Sequence, residues 1–169
     1  MTGRSVETII RALNRAEARY LIVGGLAVVA HGHVRFTAHV DLVLDPDPAS
    51  LARAVAALEA LGYRPRAPVA LAEFLDPEKR RQWMKDKGLT VFSLFSPEHP
   101  ATELDLFVEP PFDFGEEFRE AARFEVAPGV TGTFVGRDRL IAMKRAAGRP
   151  QDLLDATRLE SLGRSGGES

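Results

Sequence analysis

The chain has 169 residues, and its 18.5 kDa suffice for one ordinary domain but not for two well-built ones. With 45% apolar and 27% charged residues and a mean hydropathy of -0.10 it falls outside the range of disordered chains, and 22 basic against 24 acidic side chains leave a net charge of -2, which excludes a surface given over wholly to nucleic acid or anionic membrane. The absence of cysteine removes disulfides, thiolate zinc sites and cysteine nucleophiles together, and it fits a reducing compartment.

The longest nearly apolar stretch, Tyr20 to Ala30, is about half of what a membrane span needs, and no basic-then-apolar leader opens the sequence, so a soluble cytoplasmic protein without membrane contact is expected. In chain order, Val6, Ile9, Ile10, Leu13 and Ala16 behind Ser5 as N-cap predict an amphipathic helix. Tyr20 to Val23 reads as a buried strand, Gly24-Gly25 as a turn, and Leu26 to His31 as a short helix closed by Gly32. From His39 to Asp45 the residues alternate, with Val40, Leu42 and Leu44 on one face and His39, Asp41, Val43 and Asp45 on the other, the pattern of a strand with one polar face. Asp47 and Pro48 start a helix that Gly62 ends, and Asp76-Pro77 starts a charged one through Lys87 with Trp83 and Met84 turned inward. Leu89 to Phe95 and Glu103 to Val108 are strands, and Phe124 to Ala127 with Val130 to Val135 form a hairpin about Pro128-Gly129. Two helices, Arg137 to Ala147 and Gln151 to Leu162, end the chain before a Gly- and Ser-rich tail at 165–169. The expected product is one α/β (α+β) domain over residues 1–164, a mixed β-sheet flanked by helices, with residues 136–164 as a C-terminal helical segment.

Gly24-Gly25 after a strand, His31-Gly32, and Arg35-Phe36-Thr37-Ala38-His39-Val40-Asp41 together resemble the signature of the nucleotidyltransferase fold, in particular the small bacterial, toxin–antitoxin-associated (AbiEii-like) minimal members. The segment Leu140 to Asp155 is also similar to the C-terminal part of those proteins, so the resemblance spans nearly the whole chain. It implies a nucleoside triphosphate partner, a divalent metal cofactor with Mg²⁺ first, and transfer of a nucleotide to an acceptor such as a protein or an RNA. By the same resemblance Asp41 and Asp105 are the catalytic carboxylates, His39, Asp41 and Asp105 the metal set, and Gly24, Gly25, Arg35, Thr37, Lys144 and Arg149 the nucleotide-binding residues. Asp152 and Asp155 stand as ion-pair partners of Lys144 and Arg149. The acceptor, the base preference and the oligomeric state are left open by the sequence.

Nucleotidyl transfer needs charge stabilised on the α-phosphate and on the leaving pyrophosphate, which Mg²⁺ ions on hard oxygen ligands provide. Two Asp at i and i+2 of a strand point the same way, yet the first of that pair is His39 here, which lowers the formal charge of the site from -3 to -2. Two readings stand: a one-metal or altered-metal site, since imidazole suits Mn²⁺ or Zn²⁺ chemistry, and a degenerate site kept for binding. Asp45 in its Asp-Pro-Asp-Pro turn is read as a turn residue, His31 and His33 as helix-end and loop residues, and Trp83, Phe92 and Phe95 as core.

Overall fold

A computed structural model describes residues 1–165. Its elements in chain order are α1 (Gly3–Arg15), β1 (Tyr20–Val23), α2 (Gly24–Ala30), β2 (His39–Leu44), α3 (Pro48–Ala60), β3 (Arg64–Pro65), a 3-10 turn (Leu71–Leu75), α4 (Pro77–Lys87), β4 (Val91–Phe95), β5 (Glu103–Phe107), α5 (Phe114–Arg119), β6 (Ala122–Ala127), β7 (Val130–Phe134), α6 (Arg137–Ala147) and α7 (Pro150–Ser165). The strands form one mixed sheet in the order β3-β4-β5-β2-β1-β7-β6. The two central pairs differ in sense: β2 runs antiparallel to β1 and parallel to β5.

Register sorts the side chains into two faces. On one, Tyr20, Ile22, Val40, Leu42, Leu104, Leu106, Phe92 and Leu94 are all buried. This face carries α1 and α3, with Ile10 of α1 against Gly132 of β7, and the 3-10 turn and α4, whose Phe74 and Trp83 lie on Phe92. Trp83 is therefore a core contact. On the other face α2 covers β2 and β1, α6 packs on α2, and α7 packs on α6. The apolar alternation of β2 thus buries one edge of the strand in the larger core and leaves the polar edge for a cleft.

Local chemistry explains most boundaries. Asp47, Asp76 and Asp113 cap α3, α4 and α5, each accepting a backbone N–H from the first turn. The cap of α1 is Thr2, not Ser5: the Thr2 side chain accepts from the Ser5 backbone N–H, and Ser5 lies in the first turn, where its hydroxyl bonds His99. The two glycines are the first residues of α2 itself and not a separate turn before it. On α6 the buried positions are Leu140 and Lys144, while Ala147 is exposed, so the inward face of this helix ends in a buried lysine. The second C-terminal helix runs from Pro150 to Ser165, one residue before its expected start and three past its expected end at Leu162; residues 166–169 of the expected tail lie outside the described residues.

Candidate functional site

The β2 and β5 strands lie side by side in parallel register with Asp41 opposite Asp105, and both side chains fall on the face that α2 covers. Val23, the last residue of β1, pairs with Asp41 on the other side, so the chain enters α2 directly above this carboxylate. Gly24 is what makes that crossing feasible. It holds φ +65, and a Cβ there would lie 2.8 Å from Asp41 Cγ and nearer still to Asp41 Oδ2. Gly25 serves the same end next door, since its Cβ would meet Arg35 Nη1 at 2.6 Å and Thr37 Oγ1 at 2.7 Å.

Asp41 takes no hydrogen bond among the described residues, and its pKa is raised from 3.8 to about 6, first by burial and then by the charge of Asp105, against the opposing pull of His39, Lys144 and Arg149. Asp105 is fully engaged: its Oδ1 accepts from Ser93 Oγ at 2.6 Å and its Oδ2 lies 2.9 Å from His39 Nδ1. That contact raises the His39 pKa, outweighing the burial that would lower it. Ser93, His39 and Asp105 thus form a chain across three neighbouring strands, β4, β2 and β5, with the aspartate in the middle.

The basic residues converge on the same cleft through a second cluster. Lys144 Nζ donates to Asp152 Oδ1 at 3.0 Å and lies 3.1 Å from Asp155 Oδ2, an ionic contact without hydrogen-bond alignment. Arg35 Nε lies 3.2 Å from Asp155 Oδ1, which also accepts from Gln151 Nε2 at 2.9 Å. Arg149 Nε donates to Asp152 Oδ2 at 2.6 Å, and burial of Asp152 is overcome by Arg149 and Lys144, which hold its pKa below the usual value. Asp155 is wholly buried, as is nearly all of Lys144, whereas the Arg149 side chain is 78% exposed. The ion pairs expected between these two bases and the two aspartates are present. Thr37 Oγ1 donates back to the His39 carbonyl at 3.3 Å and fixes the approach to β2.

The remaining expectations fall away from the cleft or into structural roles. Asp45 bonds the Asp47 N–H and pairs with Arg19, as a turn residue does. His31 Nε2 lies 2.8 Å from the Val135 carbonyl, and the ring meets Phe124 edge-on. Ser93 is the site residue that sequence reasoning missed. Its signal, a lone hydroxyl at alternate parity in an apolar strand, acquires meaning only once β4 is known to lie beside β5.

Asp41 and Asp105 are the carboxylates of the cleft that could hold a divalent cation. Asp41 is the unsatisfied anion a cation would neutralise, and Mg²⁺ is commonly held by one or two carboxylates plus substrate phosphates. His39 Nδ1 is turned onto Asp105, which leaves Nε2 as the one ring nitrogen that could face a cation, and among the described residues no three His, Asp or Glu side chains are grouped as a metal shell.

The chain is thus a mixed α/β domain whose sheet carries in-register carboxylates on its central parallel pair, crossed by a glycine-led helix, and its fold is shared with a nucleotidyltransferase of known structure. Among solved structures, the lincomycin-bound crystal structure of the lincosamide antibiotic adenylyltransferase LnuA is similar to this chain with a TM-score of 0.64 at 14% identity, over 96% of this chain and 98% of that one. The likeness is one of fold. No family model matches the sequence, and no curated protein matches it. No helix among the described residues is long and apolar enough to cross a membrane.

Proposed function

We propose that this chain binds a nucleoside triphosphate together with one divalent cation in the cleft between β2, β5 and the start of α2, and transfers a nucleotide to an acceptor hydroxyl. The observation that carries this reading is the parallel register of Asp41 with Asp105, which brings two carboxylates together against the glycine start of α2. When bound, the cation would supply charge stabilisation for the reacting phosphate, held by Asp41 with Asp105 beside it. Gly24 and Gly25 let Asp41, Arg35 and Thr37 close onto the start of α2, which gathers these side chains around the phosphates. Arg35 and Thr37 form the wall over Gly25, and Lys144, already neutralised by Asp152 and Asp155, sets the potential at Asp41. Arg149 is the cation whose exposed stem can swing onto the triphosphate. The neighbouring fold's action on an antibiotic supports a small-molecule hydroxyl as an acceptor class beside a protein or an RNA.

A second reading, a binding module that retains the nucleotide without turnover, such as one partner of a toxin–antitoxin pair, is favoured by one observation: each oxygen of Asp105 already meets a side chain of its own sheet, so the carboxylate is committed to His39 and Ser93 rather than turned toward an acceptor. Calorimetry with ATP, GTP, CTP and UTP, each with Mg²⁺, Mn²⁺ or Zn²⁺, followed by a labelled-nucleotide transfer assay, separates the two. Cation-dependent binding with incorporation supports transfer, binding without incorporation supports the module, and absence of binding with every pair refutes both.

A further inference from the structure

We propose that His39 is a nucleophile, taking the nucleotidyl group of a bound triphosphate onto its Nε2 before an acceptor receives it; the inference rests on the triphosphate-binding reading above. Three observations support it. First, Asp105 Oδ2 lies 2.9 Å from His39 Nδ1, and Ser93 Oγ donates to Asp105 Oδ1 at 2.6 Å, so the aspartate is held from behind and fixes the imidazole with its proton on Nδ1. A histidine held in this tautomer has its lone pair on the other nitrogen, and Nε2 makes no hydrogen bond among the described residues. Second, the side chain is 47% exposed, so this nitrogen is reachable. Third, His39 shares the strand face of Asp41 two residues away, a spacing of about 7 Å along an extended strand, which places the ring beside the carboxylate that would hold the cation and its phosphate.

The arrangement differs from a base-activated hydroxyl. Asp105 stands between serine and histidine, so Ser93 is not activated for attack: it is the donor that orients the carboxylate. The carboxylate is the orienting group and the histidine the reacting one, the logic of an activated nucleophile with a second residue behind it. In the first step the Nε2 lone pair attacks the α-phosphorus, a P–N bond forms, the P–O bond to the leaving group breaks, and pyrophosphate departs with its electron pair. The ring is then a phosphorylated imidazolium that keeps its Nδ1 proton, and the Asp105 carboxylate neutralises it. In the second step the acceptor oxygen attacks phosphorus, the P–N bond breaks and returns its electrons to Nε2, and the acceptor's proton passes to solvent. The histidine is regenerated, and no oxidant, reductant or further reagent is required.

The test uses the full chain with each of the four ribonucleoside triphosphates labelled at the α-phosphate, with Mg²⁺ or Mn²⁺ and no added acceptor. The expected result is protein carrying one nucleotidyl group, stable in alkali and lost in acid, mapped by peptide mass spectrometry to His39, with labelled pyrophosphate exchanging into the triphosphate. The His39→Gln protein should retain no label, and Asp105→Asn should slow labelling by about 10²-fold or more, the usual range for loss of a group that positions a reacting partner. Because the adduct is located in the unaltered chain, the result does not depend on either variant folding. Triphosphate binding by calorimetry with neither label nor pyrophosphate exchange overturns the proposal alone, as does label on any residue other than His39. Failure of every triphosphate to bind overturns both this inference and the reading beneath it.

Discussion

Replacing Asp41 by asparagine should make the protein more stable at the same time as it removes the cation site. The carboxyl is displaced from 3.8 to about 6 chiefly because burial penalises its charge. At 1.36 kcal/mol per pKa unit this costs the folded state about 3 kcal/mol at pH 8. The sign follows from proton binding: the folded chain holds the Asp41 proton more tightly than the unfolded one, so stability is greatest when the group is protonated and is lost as pH rises through about 6. Asparagine is neutral in both states. Relative to the parent, Asp41→Asn should therefore gain about 3 kcal/mol at pH 8, about half of that at pH 5, and little at pH 4. Urea unfolding of both proteins at the three pH values reads this directly. Saturating Mg²⁺ should narrow the gap at pH 8 by stabilising only the parent. A variant no more stable than the parent at pH 8, or an advantage that does not shrink toward pH 4, would refute the claim that Asp41 is a half-buried charge without a hydrogen-bond partner.

Gly24→Ala should lose at least about 2 kcal/mol, since a left-handed conformation costs an alanine about 1–2 kcal/mol and its Cβ also displaces Asp41; adding Asp41→Ala should restore the contact part of the loss in thermal melts but not the backbone part. Gly25→Val should abolish triphosphate binding in calorimetry, because its Cβ alone already meets Arg35 and Thr37, and unchanged affinity in a folded variant would count against the cleft. Asp155→Ala should destabilise by about 3–5 kcal/mol in urea titrations, as it leaves buried Lys144 with a single acidic partner and Arg35 with no carboxylate, while Asp155→Asn should cost less. His39 should titrate above its ordinary 6.5 when followed by proton NMR, and Asp105→Asn should bring the midpoint down; a midpoint unmoved by that change would show that the two side chains do not meet in solution.

Alternation made the polar edge of β2 legible, and capping chemistry made the starts of α3 and α4 legible, because both are written in consecutive residues. The pairing of Asp41 with Asp105 was reachable only through resemblance, since nothing in either segment states that β5 inserts beside β2 ahead of β1. Ser93 was hidden for the same reason. The 3-10 turn at Leu71–Leu75 and the six-residue α5 were too short to build a period, and β3 has only two residues. Lys144 shows the opposite difficulty: a lysine between apolar positions of α6 reads as a border residue, and its burial becomes intelligible only with Asp152 and Asp155 of the next helix around it.

The buried aspartates of α7 also set a temporal order for the molecule. A ribosome that has added residues 20–107 has laid down both strand carboxylates, the paired glycines and Arg35, yet the anchor for that arginine is Asp155. Until α7 folds back, the loop before β2 lacks its tether and Lys144 lacks both its partners. A growing chain therefore carries the acidic half of the cleft well before its basic half is fastened in place, and the complete cleft exists only in a chain whose α7 has already docked.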